Sequence, residues 1–408
     1  MAGIKNQVVV VGGGPAGIMA AIRAAERGRR VLLLERTGEL GKKLLISGGG
    51  RCNLTNRRGL DEFLAAYHNG AFLRNAFARF FNQELMDFFE SGGIKLTVER
   101  GQRVFPASQS SAEIVAFLRR RLEAARVQLW FRNRLIRANP LPSGWELVTR
   151  QDTFSSETLL LATGGRSYPE TGSTGDGYNI ARRLGHTINK PRAALCGLEL
   201  KEKWIRDWQG VSLENVALTL SQGDRELGSE FGEAIFTHYG LSGPAVLNLS
   251  RILTGREHQA VTRLSIDFKP ALDAGKLDQR LQRELNLGRR QVKNILRTLL
   301  PMRLVERFLS VAGLPAEKPA HQVTAEERRR LLEQLKAFPL TVAALRPADE
   351  AIVTRGGVEV KEIDPRRLES RLHPGLFFAG ELIDVDGPTG GFNLQAAFTT
   401  GYVAGSHL

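Results

Sequence analysis

The chain has 408 residues, of which 42% are hydrophobic and 25% are charged, and this composition excludes disordered, collagen-like and fibrous proteins. No run reaches the roughly 18 uninterrupted apolar residues that a membrane span needs, and no signal peptide is evident. Two cysteines, Cys52 and Cys196, are too few for a disulfide framework or a cysteine-based zinc site. We therefore expect a cytoplasmic protein with neither a membrane segment nor a metal.

Basic residues outnumber acidic residues by 57 to 43, which gives a formal net charge of +14. The excess is concentrated in two segments. Residues 119–137 contain seven arginines and one glutamate, and residues 280–307 contain eight basic residues and two glutamates. Such segments can attract a polyanionic partner, or they can form solvated helix faces. The composition leaves both interpretations open.

The first predicted elements are a buried strand at 8–11, a glycine-rich turn, a helix that continues to residue 27 and a second strand at 31–34. This order and length are typical of a βαβ unit with parallel strands. Further strands are predicted at 94–98, 127–131, 145–149 and 158–162, with a helix at 112–125. The chain therefore begins as an α/β protein.

The turn after the first strand carries Gly12, Gly14 and Gly17, which have the spacing of a dinucleotide-binding fingerprint. In that fingerprint the first glycine allows a tight turn, the second lets the backbone approach a pyrophosphate, and the third permits close helix packing. Glu35, at the end of the second strand, can accept hydrogen bonds from ribose hydroxyls and would repel a ribose phosphate. The pattern favours FAD or NAD over NADP.

Two later segments decide between FAD and NAD. The chain reads Ala-Thr-Gly-Gly at 162–165, after a predicted strand, and carries a glycine-rich acidic segment at 380–393. Both resemble the downstream FAD-binding elements of flavoproteins with two dinucleotide-binding folds. In such proteins a helix that begins near Asn393 would direct its positive end at the flavin. FAD is the cofactor that this resemblance implies.

A further segment, GKKLLISGGGRCNLTN at 41–56, is highly specific. With GQRVFPA at 101–107, SYPETGSTGDGY at 167–178, THYGLSGP at 237–244 and TRGGVE at 354–359, it resembles the BaiN/RdsA family of NAD(P)/FAD-dependent oxidoreductases. The resemblance implies an α/β, Rossmann-like FAD-binding domain interrupted by a β-barrel-like subdomain and a small helical subdomain. The expected boundaries are 1–194 and 353–408 for the FAD-binding domain, 195–271 and 338–352 for the β-rich insertion, and 272–337 for the basic helical insertion.

The fingerprint and the resemblance together supply the candidate cofactor-binding residues. They are Gly12, Gly14, Pro15, Ala16, Gly17, Glu35, Lys43, Ser47, Gly49, Arg51, Cys52, Asn53, Thr163, Gly164, Gly380, Glu381, Asp386, Gly391 and Asn393.

The sequence specifies the source of electrons and the proton donor less closely than it specifies the FAD site. No second Gly-x-Gly-x-x-Gly unit follows the first, so NAD(P)H would act as a transient reductant that docks over the flavin. A dithiol relay is unexpected because Cys52 has no cysteine five residues further on. The candidate proton donors are Cys52, His238 and Tyr239. Instead of donating a proton, Cys52 can be a small thiol packed in a tight turn, and His238 can have a structural role in the turn that follows it.

Within the family one branch is known for forming dihydrouridine in large-subunit ribosomal RNA, and the basic helical insertion suits an RNA partner. The candidate RNA-binding residues are Arg289, Arg290, Lys293 and Arg297. Another branch is linked with bile-acid dehydroxylation, so reduction of a small unsaturated, carbonyl or amine metabolite is the alternative. A flavin-stabilised RNA assembly factor is a third hypothesis. The sequence makes no prediction about the oligomeric state.

Overall fold

The computed structural model describes residues 5–256, 261–286 and 290–408. Its strands are β1 (Lys5–Val11), β2 (Val31–Leu34), β3 (Thr55–Asn56), β4 (Leu96–Glu99), β5 (Arg103–Pro106), β6 (Gln128–Trp130), β7 (Leu135–Leu141), β8 (Gly144–Thr149), β9 (Thr153–Leu161), β10 (Ile188–Ala194), β11 (Leu198–Leu200), β12 (Ser212–Gln222), β13 (Arg225–Phe236), β14 (Gly240–Ser242), β15 (Thr262–Asp267), β16 (Phe338–Leu345), β17 (Val353–Val358) and β18 (Leu376–Phe378). Its α-helices are α1 (Pro15–Glu26), α2 (Lys42–Ile46), α3 (Leu60–Ala66), α4 (Gly70–Phe77), α5 (Asn82–Glu90), α6 (Ser111–Ala124), α7 (Asp176–Arg183), α8 (Pro244–Leu253), α9 (Ala274–Leu285), α10 (Val292–Leu296), α11 (Met302–Val311), α12 (Ala325–Lys336) and α13 (Phe392–Gly405).

Two compact units share these elements. The first unit contains Met1–Ala194 and Ala348–Leu408, and the second contains Leu195–Pro347. The second unit is therefore a contiguous insertion into the first.

The first unit is built on a sheet with the strand order β6-β2-β1-β9-β8-β7, to which β18 adds beside β9. The strands β6, β2, β1, β9 and β18 run parallel, whereas β7 and β8 pair antiparallel. Val8, Val9 and Val10 are fully buried. Consecutive apolar residues suit a parallel strand because both of its faces are covered.

The helix α13 packs against α1 through small residues. A Cβ atom added at Gly401 would lie 2.2 Å from the Ala16 carbonyl oxygen, and one at Gly405 would lie 2.5 Å from that of Ala20. The two backbones therefore approach each other more closely than any larger side chain allows. This contact fixes the C-terminal segment against the helix that follows the glycine-rich turn.

The second unit is organised around a closed antiparallel barrel with the strand order β11-β14-β13-β12-β15-β16. The helices α9 to α12 lie between β15 and β16 in the chain and share one core with the barrel. Trp208, Phe308 and Phe338 are fully buried in that core. The expected fold class, with its barrel-like and helical insertions, is confirmed.

Among residues 5–256, 261–286 and 290–408, no helix is both long and apolar enough to cross a bilayer.

Candidate functional site

The glycine-rich turn packs directly against the end of β9. Gly12 has a φ of +113°, and a Cβ atom there would lie 2.3 Å from the Ala162 carbonyl oxygen. A Cβ atom at Gly17 would lie 1.9 Å from the Gly12 carbonyl oxygen. At Gly14, by contrast, a Cβ atom would meet nothing within 4 Å. Two glycines thus allow close packing, and the third leaves open space over the turn.

The open space lies at the N-terminus of α1. Gly14 is the N-cap, Pro15 is the first helical residue, and no side chain caps the helix. No acidic side chain lies in the first turn. The helix therefore presents its positive end and its free N–H groups beside Gly14, which is how helices bind phosphate groups. Ala16, on the buried side of the same turn, packs beneath Gly380.

Glu35 is held beside this turn by two backbone donors. The N–H of Gly13 donates to its Oε2 atom over 2.7 Å, and the N–H of Thr37 donates to its Oε1 atom over 2.6 Å. The residue is 8% exposed. A carboxylate has about four lone-pair sites, so two bonds leave capacity for ribose hydroxyls. The side chain is thus fixed in position and still able to accept hydrogen bonds.

Two buried polar atoms near the turn have no hydrogen-bond partner among the residues that the structure describes. They are Oγ1 of Thr163, which follows Ala162, and Oδ1 of Asn133, whose own N–H donates to the Glu35 carbonyl over 3.0 Å. Buried polar atoms in native proteins nearly always have partners. These orphaned atoms, the open side of Gly14 and the fixed carboxylate all fit a bound adenine dinucleotide such as FAD.

A second group of residues joins four of the sequence segments, 41–56, 167–178, 354–359 and 380–393. The Nζ atom of Lys43 donates to Oε2 of Glu381 over 2.6 Å and to Oγ of Ser167 over 2.7 Å. The N–H of Thr354 donates to Oε1 of Glu381 over 2.8 Å. Gly165 leaves the space for this cluster, since a Cβ atom there would lie 2.4 Å from Oε1 of Glu381. Lys43 and Glu381 are thus brought together, beside the residue that follows Gly164.

The start of α13 lies against the segment that contains Asn53. The hydrogen-bonding pattern assigns the Asn53 amide so that its oxygen accepts from the Gly391 N–H over 3.2 Å. A Cβ atom at Gly391 would lie 2.3 Å from the Thr55 carbonyl oxygen. The Oδ1 atom of Asn393 accepts from the Gly387 N–H over 2.9 Å. Asn53 and Asn393 therefore shape the loop that leads into the helix.

The side chains of Arg51 and Asp386 are occupied by protein partners. The Arg51 guanidinium pairs with Glu99 and lies 4.1 Å above the ring of Phe105. The Asp386 carboxylate accepts from Nε and Nη2 of Arg355 over 2.7 and 3.2 Å, and it has no exposed surface. Both residues therefore hold the surrounding loops in place, and their contact with the cofactor stays a prediction.

Cys52 is buried beneath the glycine-rich segment. Its backbone N–H donates to the Ser47 carbonyl over 3.0 Å, whereas Gly49 in the same turn is exposed. Burial raises the pKa of the Cys52 thiol to about 12, although a hydrogen bond with Ser47 acts in the opposite direction. A general acid works best with a pKa near the working pH. The geometry therefore favours a packing role for Cys52 over proton donation.

His238 and Tyr239 belong to the second unit, in the turn between β13 and β14. Their rings are 5.0 Å apart in an edge-to-face arrangement, and the Arg346 guanidinium lies 4.6 Å from the centre of the Tyr239 ring. His238 is exposed and Tyr239 is half-buried. The structure thus brings these two candidate proton donors together and fixes the ring of Tyr239.

The candidate RNA-binding residues also belong to the second unit. Arg290 and Arg297 are exposed, and Nη1 of Arg297 donates to Oδ1 of Asn294 over 3.2 Å. Lys293 pairs with Glu317 over 3.3 Å, which partly neutralises its charge. Arg289 lies outside the described residues.

The cofactor-binding candidates predicted from the sequence leave out several residues that the structure places in contact with them. Ser167, Thr354 and Arg355 lie within the motif segments quoted above, so attention to the polar residues of those segments would have found them. Asn133 gave no signal, because it is one polar residue in an otherwise basic stretch. The contacts of all four residues involve partners far away in the chain.

Residues 6–407 match the family model described as the HI0933-like protein Rossmann domain. The chain belongs to this family. HI0933-like proteins of this kind are flavoprotein oxidoreductases, so the expectations of FAD and of an oxidoreductase are confirmed at the level of the family. The resemblance to BaiN/RdsA proteins is confirmed as well.

Two curated relatives of this HI0933-like chain match over nearly their whole length. A 3-dehydro-bile acid delta(4,6)-reductase of Clostridium scindens is 32% identical and covers 98% of each chain. A ribosomal RNA dihydrouridine synthase of Escherichia coli is also 32% identical and covers 99% of this chain and 98% of the relative. A solved structure of the Mycobacterium smegmatis Sdh1 complex in the apo form matches 100% of this chain and 68% of its own, with a TM-score of 0.50 and 16% identity, which indicates a shared fold.

Proposed function

We propose that this HI0933-like protein reduces uridine to dihydrouridine in large-subunit ribosomal RNA, with NAD(P)H as the electron source. The observation that carries this proposal is the distribution of charge on the helical part of the second unit. Arg283, Arg290 and Arg297 are exposed there, and none forms an ion pair within the described part of the chain. Unpaired arginines on a surface suit the phosphate groups of RNA, which supply most of its sequence-independent affinity.

FAD would be held by the turn at Gly12 and Gly14, by the α1 N-terminus and by Glu35 and Thr163. Lys43, Asn53, Glu381 and the start of α13 at Gly391 would support it. When bound, FAD supplies the hydride chemistry that NAD(P)H reduction and substrate reduction require. The protein's part in this arrangement is to bind the pyrophosphate, accept from the ribose and fix the surrounding loops.

The reaction adds a hydride to C6 and a proton to C5 of the uracil ring, which converts its C5=C6 double bond into a single bond while NAD(P)H becomes NAD(P)⁺. Tyr239 and His238 are the proposed sources of the proton, because the ring of Tyr239 is fixed by Arg346 and the side chain of His238 is exposed to solvent. The target base would have to leave its stack in the RNA before reacting. We propose a cytoplasmic location, where ribosomal RNA lies.

Reduction of a small unsaturated or carbonyl metabolite is the second candidate. It is favoured by the bile acid reductase of Clostridium scindens, which has the same 32% identity as the Escherichia coli relative. The exposed arginines have no role in that reaction, which is why we place it second.

The test uses the FAD-loaded protein with NADPH and two substrates in parallel, unmodified large-subunit ribosomal RNA and a steroid with conjugated double bonds. Nucleosides and steroid are then measured by mass spectrometry. We expect dihydrouridine in the RNA arm and no change in the steroid arm. The protein without NADPH is the control. Oxidation of NADPH with reduction of the steroid alone would replace the first proposal by the second.

A further inference from the structure

We propose that a pocket on the first unit binds the phosphodiester backbone of the RNA, in addition to the surface on the second unit. The pocket has a volume of ≈ 240 Å³ and lies between the start of β7, one side of α7 and the turn between β8 and β9. Its basic lining residues are Arg134, Arg150 and Arg183. The choice of RNA as the occupant rests on the proposed function.

Asp176 is the carboxylate that lines this pocket, and two arginines share it. Its Oδ2 atom accepts from Nη1 of Arg36 over 2.7 Å, and its Oδ1 atom accepts from Nη2 of Arg134 over 2.6 Å. The Nε atom of Arg134 is buried and has no hydrogen-bond partner in the described part of the chain. One carboxylate therefore serves two guanidinium groups and cannot neutralise the rest of the pocket.

Arg150 and Arg183 supply that remaining charge. Both are exposed, and neither forms an ion pair with a described residue. The Nη1 atom of Arg183 donates to the Ile136 carbonyl over 3.4 Å, which neutralises no charge. Three guanidinium groups around one shared carboxylate leave a net positive pocket. An anion with several oxygen acceptors, such as a phosphate group, is the complementary ligand.

The other lining residues argue for a nucleic-acid strand. Leu135 and Ile180 are buried in the floor of the pocket, and Ile136 is 40% exposed at its side. An exposed apolar side chain beside the arginines offers a surface for a sugar or a base. The pocket is smaller than the roughly 300 to 1,000 Å³ of most small-molecule sites. One nucleotide of a longer strand fits these dimensions better than an enclosed metabolite.

The pocket also explains the first basic segment of the sequence, which divides in the structure. Arg119 pairs with Glu123 and Arg121 pairs with Glu26, so the part on α6 is largely neutralised. Arg134, later in the segment, instead lines the pocket together with Arg150 and Arg183. The arginines of residues 119–137 thus have two roles, since those on α6 form ion pairs and Arg134 lines the pocket. Composition alone does not distinguish these roles.

The experiment measures binding of a fluorescein-labelled, single-stranded RNA of mixed sequence to the FAD-loaded protein by anisotropy at several salt concentrations. The pocket variant carries Arg150→Gln and Arg183→Gln. The matched control carries Arg119→Gln and Arg120→Gln, which remove the same charge from exposed positions on α6. Bound-flavin absorbance verifies that each variant is folded, and AMP is titrated into the wild type as a separate arm.

We expect the pocket variant to bind RNA at least about fivefold more weakly and to lose about 1.4 from the slope of log affinity against log salt, since each single-strand phosphate contact contributes about 0.7. The control should change by less than about twofold. Equal affinity of the two variants, absence of RNA binding by the wild type, or binding of AMP to the pocket without RNA would overturn the inference.

If the pocket variant loses RNA binding while no dihydrouridine forms, the proposed reaction fails and the pocket stands. If dihydrouridine forms while the pocket variant binds RNA normally, the pocket fails and the reaction stands.

Discussion

The Nζ atom of Lys43 lies 2.6 Å from Oε2 of Glu381, and this ion pair joins residues that are 338 positions apart. Both side chains are about one-fifth exposed, at 25% and 18%. The pair connects the short helix α2 to the segment after β18, next to Ser167 and Thr354. Its geometry leads to the first prediction.

Lys43→Met should lower the free energy of unfolding by about 1 to 3 kcal/mol, because Glu381 would lose a charged partner in a partly buried position. It should also weaken FAD binding. Lys42→Met is the matched control, since Lys42 pairs with Glu39 over 3.5 Å at a more exposed site and should cost less than about 0.5 kcal/mol. Urea unfolding and flavin titration measure both effects. Equal losses for the two variants would contradict the prediction.

Gly14→Ala should fold normally and bind FAD at least about tenfold more weakly, because the added methyl group meets no protein atom and enters the space over the α1 N-terminus. Gly17→Ala should instead prevent folding, since its Cβ atom would lie 1.9 Å from the Gly12 carbonyl oxygen. Circular dichroism and flavin titration distinguish the two outcomes. Full flavin affinity in Gly14→Ala would show that the cofactor does not approach this turn.

Cys52 should resist alkylation in the native protein up to about pH 10, because burial raises the pKa of its thiol to about 12 and excludes reagents. Mass spectrometry after iodoacetamide treatment, with and without denaturant, measures this. Cys52→Ala should keep substrate turnover within about twofold and lose about 1 kcal/mol of stability from the cavity. A loss of turnover greater than about 100-fold, with flavin still reduced by NADPH, would return Cys52 to the proton-donor role.

The stability of the first unit should fall as the pH drops below 6.5, through His186. Burial lowers the pKa of this side chain, despite Glu362 at 2.9 Å from Nδ1, and Ser370 lies 2.9 Å from Nε2. The ring of His373, whose centre lies 6.3 Å from that of His186, lowers this pKa further when it is charged. Below pH 6.5, His186 becomes protonated in the unfolded chain but stays neutral in the native protein. The free energy of unfolding therefore decreases by up to about 1.4 kcal/mol for each pH unit.

Urea unfolding at pH 7.0 and 5.5 measures the effect. His186→Gln should be less stable at pH 7.0 but should lose less on acidification than the wild type. His321→Gln, at an exposed position, is the control and should retain the wild-type dependence. The same pH dependence in both variants would assign the effect to another group.

Arg290→Glu with Arg297→Glu should weaken RNA binding by at least about tenfold and reduce its salt dependence, since both exposed arginines are replaced by repelling charges. The matched control is Arg329→Glu with Arg303→Glu. Those arginines are also exposed, but Arg329 pairs with Glu333 and Arg303 binds backbone carbonyls. NADPH should reduce the flavin at an unchanged rate in both variants. Unchanged RNA affinity would remove this surface from the proposal.

The parts of the site that depend on local spacing could be predicted from the sequence. Gly12, Gly14, Gly17 and Glu35 lie within one βαβ unit, so their geometry follows from their positions in the chain. The ion pair of Lys43 with Glu381 could not be predicted, because the two partners meet only when the sheet and α13 are complete. The same holds for Arg134, Arg150 and Arg183, which come from three separate elements. Long-range partners leave no periodic pattern.

The packing of α13 on α1 has a consequence for synthesis of the protein. The ribosome makes α1 early, but α13 and β18 follow only after all of the second unit has been made. Domains generally fold as units during synthesis, so the contiguous second unit can reach its native state first. At that stage the sheet of the first unit still lacks β18, and α13 has not been made. Cofactor loading would then be a late event in the maturation of this enzyme.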